Sequence, residues 1–288
     1  EIAKVVTEKG RAVREELREQ YGLTKAQTTR DERRTARQVA GVSLEQLSAL
    51  INRSLLHRSQ TGRFTIHSLL QQYAAEKLDD QGGLEEVIQD RFCHYYINMV
   101  TQRETELMGP RMLAVRDEIR LELDNVWAAV SQAIKYWSVD TLKKMLFSLV
   151  GFYAIHGWQE GVFAFRDIAR IRKDALITEG MNDPLTDFVY LSARIHQAFY
   201  QCNLGLTTES EVISRDCLEK LHQPGLEGEL SVCLQNLGVN ASYRGEYEDS
   251  QDFLEEAIVL GRKYNHIMWP TYLFWLGNLY FQLGEYKQ

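Results

Sequence analysis

The 288-residue sequence predicts a mainly α-helical protein, with one small domain that contains a β-hairpin and an α-solenoid of helical hairpins after it. Three observations predict this fold class. Apolar residues recur at helical spacing through most of the chain. One segment, between residues 55 and 66, has the character of two short strands. A Gly-Glu-Tyr triplet recurs near the end at a period typical of stacked helical repeats.

Residues 1–32 form a charged leader that we expect to be helical, because its apolar residues share one helical stripe that Gly22 would end. The chain begins at Glu1 without a methionine and ends at Gln288 inside a predicted hairpin. We therefore expect it to be a piece of a longer protein.

Charge is distributed unevenly along the chain. Residues 1–78 hold 14 Lys and Arg and 9 Asp and Glu, a net charge of +5, which leaves 19 and 31, a net of −12, for residues 79–288. A basic first third beside an acidic remainder indicates two modules with different partners, and a basic surface is able to contact phosphates.

Residues 33–80 are predicted to form a winged-helix domain, in which a helix, a small β-wing and a second helix follow one another. A capping box at Ser43 opens the first helix. Residues 55–57 and 63–66 are predicted as two strands around a turn-forming run. The second helix begins just after His67.

The remainder of the chain is predicted to be helical. Residues 84–138 are predicted to form a helical linker or capping bundle with a break at Gly109-Pro110. Residues 140–288 are predicted to form the solenoid, truncated at its carboxyl end. Three glycines mark its period, at spacings of 40 and 39, and another precedes them by 48: Gly157, Gly205, Gly245 and Gly284.

The repeat is clearest where a Leu-Gly pair is followed seven residues later by Gly-Glu-Tyr, from Leu237-Gly238 and again from Leu276-Gly277. The first glycine is predicted to let the second helix of a hairpin approach closely, and the second glycine to take positive φ in the turn. Small residues fill the corresponding close-packed positions: Ala198, Cys217 and Ala257.

Motifs of catalysis are missing from the sequence. It has no GxxxxGK[ST], GxGxxG, HExxH or GxSxG. The four cysteines show no CxxC or CxxH spacing, which speaks against a zinc site and favours free thiols in a reducing cytoplasm. No apolar run approaches the roughly 18 residues of a membrane span. We therefore expect no enzyme activity, metal or cofactor in this chain.

His67 is the strongest single candidate for a site. It lies where a predicted strand ends and a helix begins. A histidine there either hydrogen bonds locally or contacts an anion together with the free N–H groups of the helix start. The spacing leaves both readings open.

Three stretches resemble the STAND class of signal-transduction ATPases, which is related to the NB-ARC and AP-ATPase proteins. Residues 44–56 and 62–74 resemble the winged-helix end of its nucleotide switch. Residues 122–129, ELDNVWAA, resemble the helix that follows in bacterial members, and the Gly-Glu-Tyr hairpins resemble their tetratricopeptide sensor domain. Residues 1–32 do not match the pattern expected ahead of the wing.

The resemblance implies a role for His67. In the family a Met-His-Asp motif closes the winged helix, and its histidine contacts the β-phosphate of ADP. Here the corresponding residues are Ile66, His67 and Ser68, so the carboxylate is replaced by a hydroxyl. The ATPase core that would hold ADP or ATP is expected in the parent protein, since its P-loop is not in this sequence.

The resemblance also implies that the solenoid binds a protein, peptide or small inducer on its concave face and relays binding to the nucleotide switch. The register of Gly238 and Gly277 predicts the following ligand-binding positions: Gln235, Ser242, Phe274 and Asn278. Two alternatives remain. One is a DNA-binding regulator with Arg58 and Arg63 on its wing, and the other is a tetratricopeptide adaptor.

Overall fold

Helix α1 (Leu44–Asn52) is the first element of the computed structural model, which describes residues 43–58, 64–67, 69–70, 72–73, 84–181, 183–264, 266 and 268–284. Its capping box is confirmed. The Gln46 N–H donates to Ser43 Oγ at 3.1 Å, and the Ser43 N–H donates to Gln46 Oε1 at 2.8 Å. The predicted leader, residues 1–32, and the tip of the predicted wing lie outside the described residues.

Strands β1 (His57–Arg58) and β2 (Phe64–Thr65) pair antiparallel, with His57 opposite Thr65 and Arg58 opposite Phe64. Among the described residues the pairing comprises two residues in each strand, which is fewer than predicted and too few to establish a β-wing. The winged helix therefore remains a prediction.

The chain divides into two compact units, Glu1–Gln132 and Ala133–Gln288. The first unit continues with helices α2 (Leu84–Thr101), α3 (Glu104–Leu107), α4 (Met112–Leu121) and most of α5 (Leu123–Tyr136). The predicted break at Gly109-Pro110 is confirmed. Helices α4 and α5 are separated at Glu122, whose carboxylate accepts a hydrogen bond from Asn125 at 2.7 Å.

The second unit is a succession of helices that pack in pairs. The pairs are α6 (Val139–His156) with α7 (Trp158–Thr178), α8 (Phe188–Asn203) with α9 (Thr207–Leu221), and α10 (Glu227–Arg244) with α11 (Tyr247–Lys263), and α12 (Trp269–Leu283) ends the array. Each second helix packs on its own first helix and on the first helix that follows. First helices also contact one another in sequence. The chain is mainly helical, and this unit is an α-solenoid-like array.

Three of the four glycines that mark the repeat period take the positive φ that was predicted for Gly245 and Gly284. Gly205, Gly245 and Gly284 have φ of 77°, 80° and 76°, a region that glycine enters without a Cβ clash. Gly157 differs, because its φ is 163° and its backbone is extended. Helix α7 begins directly after it, so this connection is not a copy of the later turns.

The close approach predicted at Gly238 is confirmed. A Cβ at this position would lie 2.8 Å from Leu254 Cγ and 3.1 Å from the Ser250 carbonyl oxygen, both on α11. Ala257, one helical turn further, is fully buried. A side chain larger than glycine would push α10 and α11 apart.

A buried ion pair joins α7 to the start of α8. Arg172 donates to both carboxylate oxygens of Asp187, at 3.1 and 3.0 Å, and to the Ile134 carbonyl at 3.0 Å. Asp187 also accepts the Tyr190 N–H as the N-cap of α8, at 3.0 Å. The charges are therefore fully paired although water is excluded.

All four cysteines, each within a described helix, are buried and free. Among the described residues, no helix combines the length and apolar character that crossing a membrane requires.

Candidate functional site

The first helices of successive pairs bring ionisable side chains together. We call this set the inner polar cluster: Lys143 on α6, Ser192 and His196 on α8, Glu229 and Ser231 on α10, and His266 and Tyr272 at α12. The Phe147 ring of α6 meets the His266 ring edge-on, with centroids 6.3 Å apart. Since the first pair reaches the start of α12, the array curls with its first helices on the inside.

Glu229 is the acidic member of the inner polar cluster. Burial raises its pKa to about 7, because desolvation penalises the carboxylate. Its own backbone N–H, the Lys143 ammonium and the Ser192 hydroxyl oppose this rise without cancelling it. The carboxyl group therefore takes up a proton far more readily than an exposed glutamate does.

Two histidines in the cluster are neutral at physiological pH. Burial lowers the pKa of both His196 and His266 to about 4, because a protonated imidazole would lose its hydration in this environment. The Nδ1–H of His196 donates to the Ser192 carbonyl at 2.8 Å. Its ring lies against that of Phe165, with centroids 5.5 Å apart.

Within the cluster, a chain of hydrogen bonds links α10 to α12 and to the segment that precedes α12. His266 Nδ1 lies 3.2 Å from the Tyr272 hydroxyl, which lies 3.0 Å from Ser231 Oγ. Ser231 donates its proton to the Gly228 carbonyl at 2.6 Å. A Cβ on Gly228 would lie 2.9 Å from the His266 ring, so glycine is what allows the ring to approach. This contact holds the His266 ring against α10.

The four predicted ligand-binding residues have different environments. Gln235 is fully buried, with Oε1 at 3.4 Å from the Thr271 hydroxyl and no hydrogen-bond partner for Nε2 among the described residues. Ser242 is half-buried and donates to Gln282 at 3.4 Å. Phe274 is 63% exposed, and Asn278 is half-buried. The two predicted positions on α12 are therefore accessible, whereas the two on α10 are half-buried at Ser242 and fully buried at Gln235.

Phe274 lies next to the half-buried Trp275, and two further aromatic residues nearby are exposed. Its ring lies 5.5 Å from that of Trp275, and the Trp275 ring lies 6.4 Å from that of Tyr243 on α10. Phe281, two turns along α12, is also exposed. We call Tyr243, Phe274, Trp275 and Phe281 the aromatic patch. Rigid aromatic rings with amide groups nearby are the composition of many peptide-binding surfaces.

His67 is exposed, and its Nδ1 accepts the Leu69 N–H at 3.3 Å. This is the local hydrogen bond that one of the two sequence readings predicted. Because Nδ1 is the acceptor, Nε2 carries the proton and is the nitrogen able to donate to another group. Ser68, the position that replaces the family's Asp, lies outside the described residues.

Sequence reasoning missed the inner polar cluster. Its members come from four separate helices and from the segment that precedes α12, and they form no known sequence motif. Within the described part of the chain, no group of His, Cys, Asp and Glu is arranged to hold a metal ion. The sequence matches no protein-family model, and comparison with characterised proteins finds no significant relative.

Proposed function

We propose that this chain is the regulatory sensor region of a STAND-type signal-transduction ATPase. Its helical array binds a protein, peptide or small inducer on the inner surface, and binding shifts a nucleotide switch carried by the parent protein. The paired helices with glycine turns and the histidine at position 67 support this proposal, together with the resemblance of the sequence.

The observation that carries the proposal is the inner polar cluster. Glu229 is partly desolvated, and Lys143 compensates its charge only in part. The histidines beside it are neutral and offer hydrogen bonds without charge. Strongly perturbed ionisable groups gathered in one place are typical of binding sites. A ligand carrying an ammonium group would complete the pairing of Glu229.

The aromatic patch supplies the second part of the proposed surface. Phe274 belongs to this patch, Asn278 lies one turn further along α12, and Ser242 precedes Tyr243 on α10. Apolar parts of a peptide would stack on the rings, while the amide and hydroxyl groups fix its backbone. Gln235 is buried and supports this surface indirectly, because its contact with Thr271 helps to hold α10 and α12 together.

The proposed switch contact is His67. Its Nε2–H would donate to the phosphate of ADP held by the nucleotide-binding domain of the parent. One hydrogen bond of this kind senses a nucleotide but does not retain it, so ADP or ATP binding belongs to that domain. We propose the cytoplasm as the location, in keeping with the free thiols.

A second candidate function is that of a protein-interaction adaptor. The exposed aromatic patch favours it, since such a surface binds protein partners with or without a nucleotide switch.

Selection of peptides from a random library against the 288-residue chain tests the proposal. The selected peptides should bind the Phe274→Ser/Asn278→Ala variant at least about tenfold more weakly, as loss of a central aromatic anchor predicts. Glu229→Gln should weaken those peptides that carry a free amine. Val212→Ser, on the exposed side of α9, is the control and should leave binding unchanged. Equal affinity for all variants would refute the proposed surface.

A further inference from the structure

Lys143 on α6 reaches the inner polar cluster through contacts that are individually weak. Its Nζ lies 4.6 Å from the centroid of the Phe188 ring at the start of α8. A second contact, 3.9 Å to Asp140 Oδ1, is near the limit of an ion pair and joins two exposed side chains. Because the Lys143 side chain is 43% exposed, its flexible stem is able to take other positions.

Glu229 supplies an anionic partner for this ammonium group. Lys143 favours the ionised form of the Glu229 carboxyl group, and the Ser192 hydroxyl donates a hydrogen bond to it. Ser192 stands one helical turn after Phe188 on α8, so the ring, the hydroxyl and the carboxyl group lie around one position. Glu229 is half-buried, so this position is not sealed from solvent.

The arrangement matches the binding chemistry of a primary ammonium group. Such a group is compact and has three N–H donors. A carboxylate and a serine oxygen accept hydrogen bonds from it, and the face of an aromatic ring attracts its positive charge. Lys143 carries the same group, so the chain itself provides an example of the cation that this position accepts.

We propose that Lys143 holds this position in the ligand-free chain and that the primary ammonium group of a ligand displaces it. The inference rests on the proposed function in one respect, because both take the inner polar cluster as part of the ligand-binding surface. It adds the chemical class of the ligand's head group and a competitor within the chain. The displaced Lys143 keeps an anion within reach, since Asp140 stands one turn earlier on α6.

Competition predicts a sign that a supporting residue does not. If Lys143 helped to bind the ligand, its removal would weaken binding. Because Lys143 occupies the ligand's position and carries the same charge, its removal should strengthen the binding of a cation. Substitutions of Glu229 and Phe188 should act in the opposite direction, since both groups contact the bound ammonium.

Thermal unfolding of the 288-residue chain at pH 8, with n-butylammonium chloride as the probe, tests the proposal. The rise of the unfolding midpoint, relative to sodium chloride at the same concentration, gives the dissociation constant. Lys143→Met should bind n-butylammonium about 3- to 10-fold more tightly than the unmodified chain, as the loss of a like charge and of a cation–π competitor predicts. Glu229→Gln should abolish the rise, and Phe188→Leu should weaken binding.

Lys144→Met is the matched control, because Lys144 is also exposed on α6 and the substitution removes the same charge beside Lys143. Its affinity should stay within about twofold of that of the unmodified chain, since solvent and salt screen an exposed charge. Tetramethylammonium carries the charge without an N–H donor and should bind at least about fivefold more weakly than n-butylammonium. Equal affinity of Lys143→Met and the unmodified chain, or of the two cations, would overturn the proposal.

The outcome is separable from that of the peptide selection. Peptides that depend on Phe274 and Asn278, together with n-butylammonium binding that Lys143→Met leaves unchanged, would support the sensor surface and overturn the ammonium site. Tighter n-butylammonium binding by Lys143→Met, with no peptide selected, would support the ammonium site and refute the peptide-binding surface. Circular dichroism checks folding, and Lys143→Met alone decides the proposal if Phe188→Leu does not fold.

Discussion

Two charged places within the helical array differ in how completely their charges are paired. Arg172 and Asp187 are both buried, each nitrogen of the guanidinium donates a hydrogen bond, and both carboxylate oxygens accept one. Glu229 is also withdrawn from water, yet Lys143 and Ser192 compensate it only in part, and the pKa of its carboxyl group stays raised to about 7.

The difference distinguishes a structural ion pair, Arg172–Asp187, from a candidate ligand-binding group, Glu229. A closed bidentate pair has no capacity for a ligand, and its removal should damage the fold. A partly paired carboxyl group reduces stability when it ionises, and a ligand that supplies the missing charge recovers that free energy. The comparison predicts opposite signs for substitutions at the two places.

Arg172→Met should have the largest effect, a loss of about 3–5 kcal/mol in the free energy of unfolding. The variant leaves Asp187 buried without its cation and the Ile134 carbonyl without its donor. Urea unfolding followed by circular dichroism measures the loss. A change below about 1 kcal/mol would mean that water reaches Asp187 and that the pair is not closed.

The histidines should make the array sensitive to acid. Their pKa is lowered to about 4 in the folded state, so the stability that they contribute is complete above the unfolded pKa near 6.5 and is lost as pH falls through about 4. Between pH 7.5 and 5, His196→Leu should lose about 2 kcal/mol less than the unmodified chain. Urea unfolding at the two pH values measures this, and parallel losses would contradict it.

Glu229→Gln should stabilise the protein at pH 8 by about 1–2 kcal/mol, a figure discounted for partial solvent access. The pKa of Glu229 is raised in the folded state, so its favourable contribution exists at low pH and is lost as pH rises through about 7. The gain should therefore shrink towards zero at pH 5. Thermal unfolding at both pH values tests the sign, with the exposed Glu248→Gln as the unaffected control.

Arg244→Met should have the smallest effect, between about 0 and 1 kcal/mol. Arg244 pairs with Glu211 at 2.7 Å and Glu246 at 2.6 Å, so its contacts are as short as those of Arg172, but its side chain is 36% exposed. The effect should fall further in high salt. A loss as large as that of Arg172→Met would show that geometry, rather than burial, decides the strength of these pairs.

Local features of the fold were predictable from the sequence. The capping box at Ser43, the positive-φ turns at Gly245 and Gly284 and the close packing at Gly238 each depend on a few neighbouring residues. Gly157 shows the limit of this reasoning. The same residue type at a looser spacing turned out extended, because spacing does not tell which glycine ends a hairpin.

The candidate site was predictable only in part. Phe274 is exposed on α12, as a ligand-binding position requires, whereas Gln235 at the same register of α10 is buried. The cause is position in the array, because α10 has helices on either side of it along the array and α12 ends the described part. The inner polar cluster depends on the curl of the whole unit, which no local pattern encodes.

The edge contact between Phe147 and His266 has a consequence for how the array unfolds. In an open solenoid each repeat touches only its neighbours, so the ends fray independently and unfolding propagates repeat by repeat. Here a residue of the first pair touches the segment before the last helix. Loss of one end therefore removes a contact from the other, and the array should unfold as a more cooperative unit than its repeat architecture alone implies.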